Sequence, residues 1–251
     1  MLLYKDEQIL LIRKSCRIVR EVLRELALHV RPGAATIQLD RIAYEFILAR
    51  GGRPAFKGYR GYPASICTSV NEQVVHAIPS AKTILKEGDI IGIDVGVEAD
   101  GYYGDAAVTL PVGSVNGEAA RLIDAARGAL AAGISKAAAG SRLGDISHAI
   151  QSSAESRGFS VVRSFVGHFI GASLHEEPQI PNFGRAGLGP ELKPGMVLAL
   201  EPMLNAGTFE VKVAEDGWTA VTADGKNSAH FEHTVLVTQN HPEILTLESQ
   251  E

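Results

Sequence analysis

From Asp6 to Val30 apolar residues return at helical spacing: Ile9, Ile12, Cys16, Val19, Leu23, Leu26 and Val30. Such a stripe predicts an amphipathic helix, and Arg31-Pro32-Gly33 stops it because proline cannot continue the hydrogen-bond ladder. A second helix is predicted from Thr36, read as its cap, through Leu39, Ile42, Phe46 and Ile47 to Gly51-Gly52. The period then changes. Residues 65–78, 90–95 and 102–110 are rich in apolar and β-branched positions and predict strands. Two more helices are predicted near 117–138 and 143–157, and strands near 160–166, 196–203, 209–214 and 228–238. This order predicts an α+β fold with helices packed on one side of an antiparallel sheet.

The chain also repeats itself. Leu85-Lys86-Glu87-Gly88-Asp89-Ile90-Ile91-Gly92-Ile93-Asp94 matches Leu192-Lys193-Pro194-Gly195-Met196-Val197-Leu198-Ala199-Leu200-Glu201. The same offset lays Gly33 on Gly140, Leu39 on Ile146 and Arg50-Gly51 on Arg157-Gly158. With a different gap, His76-Ala77-Ile78 lies on His168-Phe169-Ile170. Two pseudo-symmetric halves follow from this, each with a strand ending in an acid, Asp94 and Glu201. Facing each other across a pseudo-twofold, the strands would bring the acids to one site. Chance likeness between two amphipathic stretches is the competing explanation.

Asp94 ends an apolar run, where a charge is costly unless it is paired or bound to metal. A turn at Asp100-Gly101 would bring Asp105 beside it, although the two also read as a turn acid and a surface acid. Glu201 again closes an apolar strand. Glu232 alternates with His230 and Thr234 on one strand face, opposite Phe231, His233 and Val235; alone it reads equally as a solvent-facing residue. His168, flanked by Gly167 and Gly171, is by itself more often a hydrogen-bonded core residue. Together, four carboxylates and one imidazole suit a dinuclear site, with ions about 3.5–4 Å apart. The mostly oxygen donor set is harder than a structural Cys/His zinc site. The glycine-rich stretch 184–190 lacks the context of a phosphate loop and is read as an ordinary loop.

Composition narrows the reading further. The 251 residues are 45% hydrophobic and 21% charged, ordinary for a globular protein, and 1–251 is expected to form a single catalytic domain. A net charge of -5 without a basic stripe argues against a nucleic-acid partner. Two cysteines cannot form a disulfide framework, which fits a reducing compartment. Lys5, Asp6 and Glu7 break the apolar start, so no signal peptide is read. No run approaches the ~18 apolar residues of a membrane span. No membrane partner is expected, and the expected location is the cytoplasm.

These motifs resemble the methionine aminopeptidases of the pita-bread fold, from about residue 5 to 246. The blocks are Gly58-Tyr59-Arg60-Gly61-Tyr62-Pro63, Asn71 to Pro79, Asp94-Val95-Gly96 with Gly104-Asp105, Gly167 to Gly171 with His175-Glu176-Glu177-Pro178, and Glu201-Pro202 with Glu232-His233-Thr234. The resemblance implies two divalent ions (cobalt, manganese, iron or zinc) held by Asp94, Asp105, His168, Glu201 and Glu232, with Asp105 and Glu232 bridging. It implies that His76 and His175 contact the scissile peptide, and that Glu201 also moves the proton. Phe56, Tyr59, Tyr62, Cys67 and Trp218 match the methionine side-chain pocket. The substrate implied is the N-terminal methionine of nascent polypeptides with a small second residue, removed by a monomer with at most transient ribosome contact. The short stretch between His175 and Glu201 lacks the helical insertion of the type 2 branch, so type 1 is implied. Phe169 stands where the family has glycine, which is expected to crowd His168, and Leu174 where it has an aromatic, which is expected to soften one wall. The alternatives are a proline-directed pita-bread peptidase, usually with an extra N-terminal domain and more histidines, and a non-catalytic binding protein on this fold.

Overall fold

A computed structural model describes residues 2–248. Helices α1 (Asp6–Ala27), α2 (Thr36–Ala49), α3 (Gly117–Ile134) and α4 (Leu143–Glu155) back a nine-stranded sheet. Across that sheet run Arg53–Pro54, Ile90–Ala99, Tyr102–Pro111, Glu232–Leu236, Val197–Leu200, Gly167–Phe169 and Glu176–Ile180, every pair antiparallel. Cys67–Val70 joins the edge of Ile90–Ala99, and Glu243–Ile244 joins Glu232–Leu236. Two three-stranded sheets flank it, and the predicted α+β class holds.

One sheet face meets the helices. Ile91, Ile93, Val95 and Val97 pack on Val19, Val22, Leu26, Leu39 and Ile47 of α1 and α2. In the other half, Phe169, Leu198, Leu200 and Val235 pack with Leu122, Ala126, Ile146 and Ile150 of α3 and α4. Each fully buried Ile, Leu or Phe contributes roughly 1.5–3 kcal/mol. A surface helix pair adds about 0.2–0.5 kcal/mol. Helix-on-sheet packing therefore sets the architecture.

The internal repeat is structural. Ala35 bridges Ile84, and Arg142 bridges Glu191, at the same offset. Gly33 N–H donates to Leu85 O at 2.8 Å and Gly140 N–H to Leu192 O at 3.0 Å. Gly88 and Gly195 both take left-handed backbone, φ 91° and 89°, which disfavours any side chain. Gln38 and Asp145 each reach back to the backbone N–H that precedes their helix. The match of His76–Ile78 to His168–Ile170, however, does not hold. Gly167–Phe169 pairs directly with Val197–Leu200, and in the first half that place belongs to Cys67–Val70. His76 lies one segment further out, where Ala77 O accepts from Thr68 N–H.

Other boundaries also differ from expectation. Ala35, not Thr36, caps α2, because the Thr36 hydroxyl is engaged by Ser80 backbone. Helix α1 stops at Ala27 and α3 at Ile134. The predicted strand 160–166 shrinks to Ser160–Val161, and 228–238 divides at Phe231. Asp94 lies inside its strand, which runs on to Ala99, whereas Glu201 does follow the end of Val197–Leu200.

Helix α1 sits close on the hairpin at Gly104, where an added Cβ would lie 2.7 Å from the Cys16 backbone nitrogen. Gly104→Ala is therefore expected to lower stability by about 1–3 kcal/mol through overpacking. Denaturant unfolding reads the loss, and an unchanged midpoint would refute this tight fit.

Candidate active site

Strand register assembles the site. Cys67 faces Asp94, Asp94 faces Ala107, and Ala107 faces Glu232 across adjacent strands. Two residues along, Gly96 faces Asp105, while Thr234 faces Ala199 and Ala199 faces His168. Side chains directly opposite share a sheet face, so Asp94, Asp105, Glu232 and His168 all project away from the helices. Glu201 follows Leu200 onto the same face. The small residues Gly96, Ala107 and Ala199 leave room for these larger ones to lean together.

Asp105 is locked from both sides: its N–H donates to Thr234 Oγ1 at 3.0 Å, and that hydroxyl donates to Asp105 O at 2.7 Å. His168 Nδ1 lies 3.0 Å from Phe169 O, which makes it the donor and leaves the Nε2 lone pair facing inward. His168 Nε2 is 3.4 Å from Glu201 Oε1. Donor atoms of Asp105, His168 and Glu232 all lie within 4.8 Å of one another. Asp94 Oδ1, Asp105 Oδ1 and Glu232 Oε1 are buried without a hydrogen-bond partner. Buried oxygens left this way are costly, and a shared divalent cation is the natural partner for them.

All twelve residues singled out from the sequence line one cavity of about 160 Å³: the five donors, His76, His175, Phe56, Tyr59, Tyr62, Cys67 and Trp218. A void of roughly 150 Å³ accepts a benzene-sized group, so one buried side chain fits. Tyr62 and Trp218 meet edge to face at 5.1 Å, and Asp216 ties down the Trp218 turn. Phe56 packs flat against the strand at Gly96, where a Cβ would come within 2.5 Å of its ring. His76 takes left-handed backbone, φ 61°, and its ring abuts Phe165. His175 stacks on Tyr59, whose hydroxyl lies 2.9 Å from its Nδ1.

Two residues near this cavity carried no assigned role in the sequence. Arg60, inside the Tyr59–Tyr62 motif, lines the mouth with φ 49°. His230 is buried, and its unpartnered Nε2 stands 4.0 Å from both Glu201 Oε2 and Glu232 Oε2. Its alternation with Glu232 was visible in the sequence, but nothing marked it as buried.

The signature of metallopeptidase family M24 spans residues 11–239. The chain belongs to this family. It is 53% identical to a methionine aminopeptidase of Clostridium perfringens over 98% of this chain and 99% of that one. It is 50% identical to methionine aminopeptidase 1 of Bacillus subtilis, over 94% and 95%. The crystal structure of methionine aminopeptidase from Thermotoga maritima superposes with a TM-score of 0.98 at 46% identity, covering 99% of this chain and all of that one. A prolidase from Pyrococcus furiosus shares the fold, TM-score 0.75, at 20% identity, with this chain covering 66% of it. The pita-bread fold read from the sequence is thus the fold of the family.

Against the family pattern, one expected disturbance is absent. Phe169 is 1% exposed and packs in the helix-backed core, so its ring does not crowd His168, while its carbonyl oxygen lies 3.0 Å from His168 Nδ1. Leu174 does form a cavity wall, as expected.

Burial governs the electrostatics. It lifts Asp94 to about 7, against a hydrogen bond from Asp105 that holds it down. Burial, then repulsion from neighbouring acids, raises Asp105, Glu201 and Glu232 well above the usual range. Burial lowers His168 to about 3, which keeps the imidazole neutral and able to ligate. Burial and the nearby Asp94 charge raise the Cys67 thiol well above normal, so it is a wall and not a thiolate donor. In metal-free protein a raised carboxyl contributes stability below its unfolded value of about 4 and loses it as pH climbs. The chelated Asp94→Asn variant is therefore expected to gain stability relative to the chelated parent as pH rises from about 4 through 7. Melting curves across that range test this, and a pH-independent difference would contradict it.

Proposed function

We propose that this protein is a dinuclear metal-dependent aminopeptidase that removes the initiator methionine from nascent polypeptides with a small second residue. The observation that carries the reading is convergence: the buried Asp105 and Glu232, the half-buried Asp94 and Glu201, and His168 meet on the floor of a cavity walled by Phe56, Tyr59, Tyr62, Cys67 and Trp218. Relatives about 50% identical along nearly the whole chain support it. Residues 1–251 act as one catalytic unit, a monomer in the cytoplasm that meets its substrates by transient contact at the ribosome.

Asp94, Asp105, His168, Glu201 and Glu232 would hold two divalent ions of cobalt, manganese, iron or zinc, with Asp105 and Glu232 shared between them. Their unpartnered oxygens and neutral imidazole fit that role. Bound there, the ions would supply Lewis acidity that acidifies water and polarises the peptide carbonyl. Glu201 accepts the proton of the attacking water and delivers it to the leaving amine nitrogen. His175 and His76 donate to the carbonyl oxygen as negative charge develops, an interaction strongest in the transition state. Tyr59 holds Nδ1 of His175, which leaves Nε2 for the substrate.

Chelation is expected to abolish peptidase activity and added metal to restore it, while Asp105→Asn stays inactive with metal. Glu201→Gln is expected to cut kcat far more than it weakens methionine binding. Full activity in the chelated protein would end the dinuclear reading, and normal kcat with raised KM in Glu201→Gln would reassign that residue to binding.

The pocket explains the choice of side chain. Aromatic walls and a neutral thiol suit an unbranched, polarizable thioether that bends to meet ring edges. β-Branched residues are stiffer and fit worse. A methylene changes binding by only ~1–3 kcal/mol, so leucine is expected to be cut slowly. Peptides beginning Met-Ala, Met-Ser, Met-Leu, Met-Lys, Leu-Ala, Ala-Pro and Pro-Ala give the test. Met-Ala and Met-Ser should be cleaved well, and Met-Leu and Met-Lys hardly at all. Preferred cleavage of Ala-Pro would instead identify a proline-directed enzyme.

A further inference from the structure

Tyr4 stands almost at the start of the chain, yet it is only 7% exposed and reaches the segment that carries His175. Its hydroxyl accepts a hydrogen bond from Ala172 N–H at 2.8 Å and donates one to Glu176 Oε1 at 2.5 Å. The same Glu176 oxygen accepts from Ser173 N–H at 3.1 Å. Three contacts thus close a ring around residues 172–176, with His175 inside it. The Tyr4 ring lies so close to the chain that a Cβ on Gly171 would come within 2.2 Å of it. Tyr4 is itself fixed from behind, its N–H donating to Gly195 O at 2.8 Å. Gly171 O is held from the hairpin side by Tyr103 N–H.

We propose that Tyr4 is a positioning residue for His175, pinning by its hydroxyl the turn from which that imidazole reaches the cavity. His175 is exposed between the buried Leu174 and Glu176, which pairs with Phe169, and the Tyr4 hydroxyl adds a further anchor to this segment. The His175 ring is steadied by Tyr59 and its segment by Tyr4. Both supports are needed because a donor displaced by about 1 Å from a developing charge loses on the order of 100-fold in rate. The inference rests on the reading of His175 as a contact to the reacting carbonyl.

Tyr4→Phe keeps the ring and deletes only the hydroxyl, so packing at Gly171 survives. In the metal-loaded enzyme, kcat on a Met-Ala peptide is expected to fall by about tenfold, with KM and metal content per chain unchanged. In a His175→Ala background the same change is expected to do nothing more, since a residue acting through another shows full coupling in a double-mutant cycle. Glu176→Gln, which keeps an acceptor for the hydroxyl, is expected to stay near the parent. An unaltered kcat in Tyr4→Phe, or an equal loss with and without His175, would overturn the proposal while leaving His175 in its role. A His175→Ala enzyme with the parent's kcat would overturn the role of His175 itself, and this proposal with it.

Discussion

Four carboxylates share one buried face of a β-sheet, and their mutual repulsion is the strain around which this chain is organised. Two like charges 4 Å apart cost about 4 kcal/mol at the effective dielectric near a protein surface. A domain of this kind is stable by only about 5–15 kcal/mol in all. Several such repulsions together would consume most of that margin. The fold tolerates the cluster in two ways: burial shifts the acids toward their neutral forms in the absence of cations, and the free oxygens of Asp94, Asp105 and Glu232 converge where cations would neutralise them. Stability and chemistry therefore meet in the same atoms.

What makes the convergence reproducible is register. A one-residue slip of any strand would turn its side chains to the opposite face, sending an acid into the core beside α1 or α3. Two devices prevent this. Asp100 and Gly101 both have positive φ, 53° and 82°, as a two-residue hairpin turn with the twist of its strands requires. That turn fixes Asp105 opposite Gly96, one step diagonal from Asp94. The Thr234 hydroxyl then joins the hairpin to the next strand through both backbone groups of Asp105. The other sheet face, with Ile91, Ile93, Val95 and Val97 against the helices, fixes the polarity of the whole arrangement.

Much of this was legible in the sequence because it is local. Helical periodicity marked α1 and α2, Asp100-Gly101 marked the hairpin, and the repeated Leu-Lys-x-Gly segment marked the two halves. Apolar strands ending in an acid marked Asp94 and Glu201, the turn marked Asp105, and Glu232 and His168 stood out only in combination with these. What was not legible depends on partners distant in the chain. Gly167–Phe169 and Glu176–Ile180 are too short to show a period, and Pro178 argues against a strand until the segment proves to be a sheet edge, where a missing N–H is tolerated. The orientation of Phe169 follows from its alternation with His168, which could be read only once that segment was known to be extended. Thr36 has the chemistry of a cap, but Ser80, far along the chain, claims its hydroxyl.

The pseudo-twofold also explains how one site came to have two different sides. Asp94 and Glu201 occupy equivalent places in the repeat, and each of their strands pairs with a neighbour that carries a further acid, Asp105 or Glu232. The symmetry breaks at the strands paired to them on the other edge. In the first half that strand is Cys67–Val70, and its Cys67 puts an uncharged thiol opposite Asp94, beside Phe56, Tyr62 and Trp218. In the second half it is Gly167–Phe169, and it supplies the His168 imidazole. One edge is thus an apolar wall and the other extends the donor set. On the function proposed above, a substrate lying between them would meet side-chain recognition on the first half and the polar groups of His168 and His175, whose rings lie 4.3 Å apart, on the second. Duplication alone would have given two like edges; the divergence of these two short strands is what gives the cavity a direction.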